Sequence, residues 1–300
     1  MSGKRVVEDE AAPDTDRDML VDTRRRRIRI GAGSRMRSTL RLVGPPLIAF
    51  AAIVLAWQLS LTWSETPSYL FPKPTDVVEA ATERADLLAQ SVWRTVSAAA
   101  SGFILAVVGG VVVALILGSS RVLERSLLPY AVLIQTTPIV AVAPIIVIWL
   151  GAGLRSIIVI AFIIAFFPMV SNTLVGLNSV DAERSNLFRL YHASRWTTMR
   201  KLRLPTALPY IMAGAKISSG LAVIGAIVGE FVAGVGGGRG GLGYVITISA
   251  TQLDSPYLFA AALAGSCVGI AFYWLVGTVS RIVLGSWHES EVDRVERPIA

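Results

Sequence analysis

The stretch TVSAAASGFILAVVGGVVVALILGSS, residues 95–120, runs 26 positions without a charged side chain. About 20 mainly apolar residues suffice to carry an α-helix across the hydrocarbon core of a bilayer. The segment is therefore predicted to span a membrane. Comparable windows recur outward from it at 42–64, 126–154, 156–180, 204–229 (interrupted by Lys216) and 255–280. Six transmembrane helices are expected, and the fold class is an all-α integral membrane protein. Composition agrees: 300 residues, 53% hydrophobic and 16% charged, against about 25% charged for an ordinary soluble domain. A cytosolic globular enzyme is excluded.

Charge is confined to islands. Eighteen charged residues fall in 1–41 and six in 285–300, leaving 25 for the 243 between. The first segment is acidic (Glu8 to Asp22) and then basic (Arg24 to Arg41), with no apolar periodicity, so 1–41 is predicted to be a disordered tail. Arg24 to Arg27 read as a juxtamembrane basic block rather than a nucleic-acid patch or export signal, and 42–64 as a retained anchor. Inside loops carry the excess of Lys and Arg. With the N-terminus inside, the inner segments hold 22 such residues and the outer ones five (Lys73, Arg84, Arg94, Arg155, Arg239), which puts both termini in the cytoplasm.

The expected organisation is a tail (1–41), a first span (42–64), an outer amphipathic segment (65–91), a core (92–284) and a cytoplasmic tail (285–300). Within the core the spans are about 95–120, 126–150, 156–178, 207–230 and 257–281, with a loop at 181–205. Pro129, Pro138, Pro144 and Pro168 predict kinks in the third and fourth spans. Recurrent glycines predict close helix packing. In the outer segment a helix over 76–93 is expected, capped by Thr75 or Asp76.

The inner loop 181–205 is patterned as a short amphipathic helix, with Leu187, Phe188 and Tyr191 on one face and Arg184 and Arg189 off it. Its sequence, LYHASRWTTMRKLRLPTALPYI over 190–211, resembles the signature cytoplasmic loop of bacterial ABC-importer permeases. In that family a Glu-Ala-Ala triplet is followed by a glycine, by a hydrophobic residue ten positions later, and then by Leu-Pro. Leu204-Pro205 and Leu202 match; His192 occupies the glycine place, and Asn186-Leu187-Phe188 that of the triplet. A glycine there would serve a tight turn, so His192 implies a turn without positive φ or a different start to the helix. The resemblance covers about residues 70–284 and is closest to the nitrate, sulfonate, taurine and pyrimidine-precursor branch. It also rests on Gln135-Thr136-Thr137-Pro138 to Trp149-Leu150-Gly151, on Phe166-Phe167-Pro168 with Asn172-Thr173, and on Ile224 to Phe231.

The resemblance implies a six-helix type I ABC importer transmembrane domain in the bacterial cytoplasmic membrane. It implies a 186–203 coupling helix that docks on a separate ATP-binding subunit, with Asn186, Leu187, Phe188, Arg189, Tyr191, His192, Ala193, Ser194, Arg195, Leu204 and Pro205 as coupling residues. Two permease chains would form the pathway and an outer solute-binding protein would deliver a small polar solute. ATP would be bound by the partner, since this chain has no Gly-x-x-x-x-Gly-Lys-Ser/Thr loop. A self-contained secondary carrier or channel is the alternative, although no internal repeat is evident.

Ionisable and polar groups at membrane depth mark candidate pathway residues. Glu230 is placed near the outer end as a pathway or gating residue or a hydrated helix-end carboxylate, and Lys216 as a side chain that snorkels to the inner face. Gln135, Thr136 and Thr137 beside Pro138 are candidate lining residues, as is Asn172. Gly236 to Gly241 formally matches a dinucleotide fingerprint but lacks the surrounding strand and crossover, and reads as a flexible outer hairpin. Cys267 reads as a small core residue. His192 and His288 have no metal-site neighbours, no nucleophile-base pair is present, and neither metal nor nucleic acid is expected as a ligand.

Overall fold

The structure is a computed structural model that describes residues 33–234 and 240–285. Residues 1–32 of the expected tail 1–41, residues 286–300 of the expected tail 285–300 with His288, and Gly236 to Arg239 of the Gly236 to Gly241 run lie outside the described residues. Residues up to Trp63 and from Ser64 onward form two compact units. The first is a single helix, α1 (Gly33–Trp63), with Gly44–Trp63 long and apolar enough to cross a membrane. Residues 33–41, expected in the disordered tail, are helical instead. Arg, Met and Leu are good helix formers, and extending an existing helix costs far less than starting one.

The second unit contains α2 (Pro74–Glu83), α3 (Ala85–Gly118), α4 (Arg121–Thr136), α5 (Ile139–Leu150), α6 (Leu154–Asn178), α7 (Ala182–Leu190), α8 (Arg195–Thr198), a π-helical turn (Met199–Arg203), α9 (Leu204–Ala233), α10 (Leu242–Thr251) and α11 (Ser255–Gly285). Among the described residues five helices are long and apolar enough to span a bilayer: α1, α3, α6, the run Arg195–Ala233 that ends in α9, and α11. The expected third span, 126–150, is two helices rather than one. Pro138 has no N–H and drives the preceding residue to extended backbone; Thr137 adopts φ −70°, ψ 125°. The hydroxyls of Thr136 and Thr137 both donate to the Leu133 carbonyl, at 3.0 and 2.9 Å, and close α4.

α6 packs most extensively against α9 and α3. Ala98, Gly102, Ala106, Gly110, Ala114 and Gly118 recur at every fourth position of α3 and all are buried. Lipid tails are as apolar as leucine, so helices associate in a bilayer by close van der Waals fit, which small residues permit. The fit is tightest at Ala161 of α6. A Cβ on Gly102 would lie 2.6 Å from Ala161 Cβ, and one on Gly225 of α9 would lie 2.7 Å from Ala161 Cα. Ser218 Oγ adds an interhelical bond to the Ala165 carbonyl at 2.7 Å.

Large apolar side chains point outward, among them Ile104, Val108 and Val112 on α3 and Leu263, Ile270 and Trp274 on α11. Cys267 shares that outer face of α11 and is exposed, not a core residue. In lipid the core selects for small size rather than apolarity, so an apolar neighbourhood does not imply burial.

The segment after α1 is held by protein contacts. α2 starts at Pro74 with Lys73 as its N-cap, and Asp76, at the third helical position, reaches back to accept from the Lys73 N–H at 3.3 Å. Neither Thr75 nor Asp76 is the cap itself. The helix expected over 76–93 breaks at Arg84, which begins a second helix, α3. Val77 and Ala80 of α2 pack with Tyr257 and Ala260 of α11. Arg84 Nη1 donates to Asp254 Oδ2 at 2.6 Å and its guanidinium lies 4.7 Å from the Tyr257 ring centre.

Gly102→Leu or Gly225→Leu is expected to separate α6 from a neighbour and cost at least about 1–3 kcal/mol. Thermal unfolding in detergent checks this, with exposed Ile104→Leu as the control that leaves the midpoint unchanged.

Candidate functional site

Two assemblies of polar groups occupy opposite ends of α9. At its start is the loop 181–205. Asp181 caps α7, its carboxylate accepting from the Glu183 N–H at 3.2 Å. The helix then stops: the Ala193 N–H donates to the Phe188 carbonyl and the His192 N–H to the Arg189 carbonyl, each at 3.0 Å. This pair of bonds is a Schellman closure, in which the second residue past the helix takes the left-handed conformation, usually as glycine. His192 is that residue, with φ +50°. Of the two sequence expectations, that of a turn without positive φ is overturned. The substitution leaves the turn in place at a cost of about 1–2 kcal/mol.

The expected continuous 186–203 helix is likewise corrected to α7, the turn, and α8. Ser194 caps α8 by accepting from the Thr197 N–H at 3.1 Å. The π turn follows just before Pro205, with the Leu204 N–H bonded to the Met199 carbonyl. Pro205 follows as a residue of the first turn of α9, where its missing N–H costs least. Leu187, Leu190 and Tyr191 share the exposed face of α7, the last two at 76% and 79% exposure, while Ser185 and Phe188 turn inward. Phe188 therefore leaves the apolar face assigned to it. Asn186, Arg189 and Arg195 are exposed; Ala193, Leu204 and Pro205 are half-buried.

One residue not singled out from the sequence organises this end. Arg203 Nε donates to the Leu177 carbonyl at 2.9 Å, Nη1 to the Gly118 carbonyl at 2.6 Å and Nη2 to Asn178 Oδ1 at 2.7 Å. Asn178 in turn donates to Glu124 Oε1 at 2.9 Å. A cation at the C-termini of α3 and α6 satisfies orphan carbonyls and complements both helix dipoles. The start of α9 is thus tied to the ends of the two helices it packs with. In the sequence Arg203 was one of six basic residues in the loop, with nothing local to separate it from the rest.

At the other end of α9 lies Glu230, buried at 1% exposure rather than at an open helix end. Its carboxylate accepts from Thr95 Oγ1 at 2.8 Å and from the Gly243 N–H at 2.8 Å, and Thr95 Oγ1 accepts from the Leu242 N–H at 2.9 Å. Glu230 and Thr95 together cap α10, a helix too short to span and not anticipated from the sequence. A buried carboxylate at a helix N-terminus is stabilised by the orphan N–H groups there. Gly241 and Gly243 make the approach possible, since a Cβ on Gly241 would fall 2.0 Å from Glu230 Oε1 and one on Gly243 2.3 Å from the Ile227 carbonyl. The expected flexible hairpin ends, within the described residues, in this tight contact.

The other candidates are dispersed. Gln135, Thr136 and Thr137 are exposed at the break between α4 and α5. Asn172 is half-buried on α6 and donates to the Pro168 carbonyl at 2.8 Å. Lys216 is half-buried, and its Nζ lies 5.3 Å from the centre of the Tyr273 ring on α11. Among the described residues no group of three or more His, Cys, Asp or Glu could hold a metal ion.

Glu230→Ala leaves the Gly243 N–H and the Thr95 hydroxyl without their acceptor, each loss costing about 1–3 kcal/mol. The expected order of thermal stability is wild type, Glu230→Gln, Thr95→Val, Glu230→Ala, read from unfolding midpoints. His192→Gly is expected to stabilise the loop by up to about 1 kcal/mol and His192→Val to loosen it, as measured by protease cleavage at 190–195.

Residues 106–285 match the family described as the binding-protein-dependent transport system inner membrane component. A riboflavin transport system permease protein of Chloroflexus aurantiacus is 34% identical over 261 residues, covering 85% of this chain and 96% of that one. A formylaminopyrimidine transport permease protein of Halalkalibacterium halodurans is 30% identical over 247 residues, covering 82% and 96%. Among solved structures, a chain of the MetNI methionine ABC transporter in an inward-facing conformation superposes with a TM-score of 0.53 at 21% identity, covering 66% of this chain and 98% of that one; it shows the shared fold. The small-residue helix bundle with its interrupted loop is a multi-pass membrane component, and the chain belongs to the inner membrane permeases of binding-protein-dependent ABC importers.

Proposed function

We propose that this chain carries a small polar solute inward across the cytoplasmic membrane by alternating access, as one of two identical permease chains driven by a separate ATP-binding subunit and supplied by an outer solute-binding protein. ATP belongs to the partner. The termini and the loop 181–205 face the cytoplasm, in keeping with the 22-to-five distribution of Lys and Arg. The observation that carries the reading is the exposed apolar face of α7. Leu187, Leu190 and Tyr191 stand free on a short helix that is capped at one end, closed by the His192 turn at the other, and joined through α8 to α9. Such a face is costly in water and suits the cleft of a partner.

In this reading Asn186, Leu187 and Tyr191 are the coupling residues that meet the ATPase, and the coupling arginines Arg189 and Arg195 lie to the side of that face. Phe188, His192, Ala193, Ser194, Leu204 and Pro205 keep the loop in shape behind them. A displacement of α7 reaches the spans through the Arg203 bonds, which favours rigid-body rocking of α3, α6 and α9. Gln135, Thr136, Thr137 and Asn172 line the solute path, and Glu230 sets the position of α10 as an outer gate. The names of the riboflavin and formylaminopyrimidine permeases favour a heterocyclic vitamin or its precursor as the solute over a nitrate-like or sulfonate-like anion.

Leu187→Asp with Tyr191→Asp is expected to cut co-purification of the co-expressed ATPase subunit at least tenfold, about 1.4 kcal/mol, with membrane insertion unchanged. Undiminished co-purification sinks the reading. Uptake of labelled riboflavin, formylaminopyrimidine, nitrate and an alkyl sulfonate into proteoliposomes holding all subunits decides the solute class.

A further inference from the structure

Behind α7, on the side away from Leu187, Leu190 and Tyr191, lies a cavity of about 1370 Å³. Five guanidinium groups line it, those of Arg121, Arg189, Arg195, Arg200 and Arg203, and no carboxylate does. Arg203 is committed to helix-end carbonyls. The other four make no side-chain hydrogen bond or ion pair among the described residues. These four are exposed at the rim of an open cleft, and charges of one sign gathered around a cleft attract an anion. The remaining wall is apolar: Leu115 and Ile116, at the end of a spanning helix, and Trp196, which is 72% exposed. A water-soluble anion has no use for such a wall, and an amphiphile does. Basic pockets between helices at the membrane boundary, with an interfacial tryptophan, suit phospholipid head groups.

We propose that this cavity seats the phosphodiester of an anionic phospholipid, its chains lying along Leu115 and Ile116. A lipid held there bridges the start of α4 to α7 and α8, bracing the loop from behind while its apolar face is left for another partner. The site goes beyond the transport reading and does not depend on which solute is carried.

The test uses the full chain co-purified with its ATPase subunit and examined by native mass spectrometry after equilibration with equal amounts of phosphatidylglycerol and phosphatidylethanolamine. The expected result is selective retention of phosphatidylglycerol, reduced roughly tenfold or more by Arg121→Gln with Arg200→Gln and largely restored by the Arg121→Lys, Arg200→Lys pair. Unchanged retention in the Gln pair, or equal retention of the two lipids by the wild type, overturns the proposal. Displacement of the lipid by millimolar inorganic phosphate assigns the cavity to a free phosphate and overturns it too. Loss of the ATPase subunit from the Gln pair with lipid retention intact gives the cavity to the ATPase interface and also overturns it, whereas failure of the transport reading shows separately in the Leu187, Tyr191 variant.

Discussion

Ala161 is held between Gly102 and Gly225, and this approach of three backbones governs the rest of the bundle. Water drives no helix against another inside a bilayer, so cohesion comes from contact distance and from hydrogen bonds across the interface. Side chains with no Cβ, or only a Cβ, bring α3, α6 and α9 close enough for both. The segments of functional interest emerge from these three helices. α6 leads into the loop, α9 begins with it, and the far ends of α3 and α9 carry Thr95 and Glu230.

The two ionisable groups at the ends of the bundle, one basic and one acidic, solve the same problem at opposite kinds of helix end. Arg203 sits at the C-termini of α3 and α6, where carbonyls lack partners; Glu230 sits at the N-terminus of α10, where N–H groups do. Each is tolerated near or within the membrane because another helix's backbone supplies its partners. Each also ties a short, non-spanning segment to the packed core. A mechanical input at one end of α9 is therefore not absorbed by loose chain before it reaches the spans.

The loop shows how a local departure from a family pattern can keep the geometry and change only its cost. A left-handed residue is what the Schellman closure needs, and histidine supplies it less cheaply than glycine. The turn then sends the chain back toward α9, which aims one face of α7 outward with its leucines and tyrosine. The opposite face looks over a group of arginines, and no carboxylate is among the residues that line the space between them.

Much was legible in the sequence because the bilayer reduces the folding code to a few coarse requirements. Length of apolar run pointed to 95–120, 156–178, 207–230 and 257–281, each of which overlaps a helix long and apolar enough to cross a membrane, and residue order pointed to the family. The break at Thr137-Pro138 was readable as a kink; that it divides the span into two helices depends on whether neighbours re-satisfy the freed carbonyls. The rest required three dimensions. Glu230 lies 135 residues from Thr95, Arg203 lies 85 from Gly118, and Arg84 lies 170 from Asp254. Cys267 faces outward although its neighbours in the chain are apolar. Hydrophobicity says that a helix enters the membrane but not which side of it meets protein, because lipid and protein interior are alike apolar. That choice is made by size and by which polar groups find partners, and both are set only when the helices have come together.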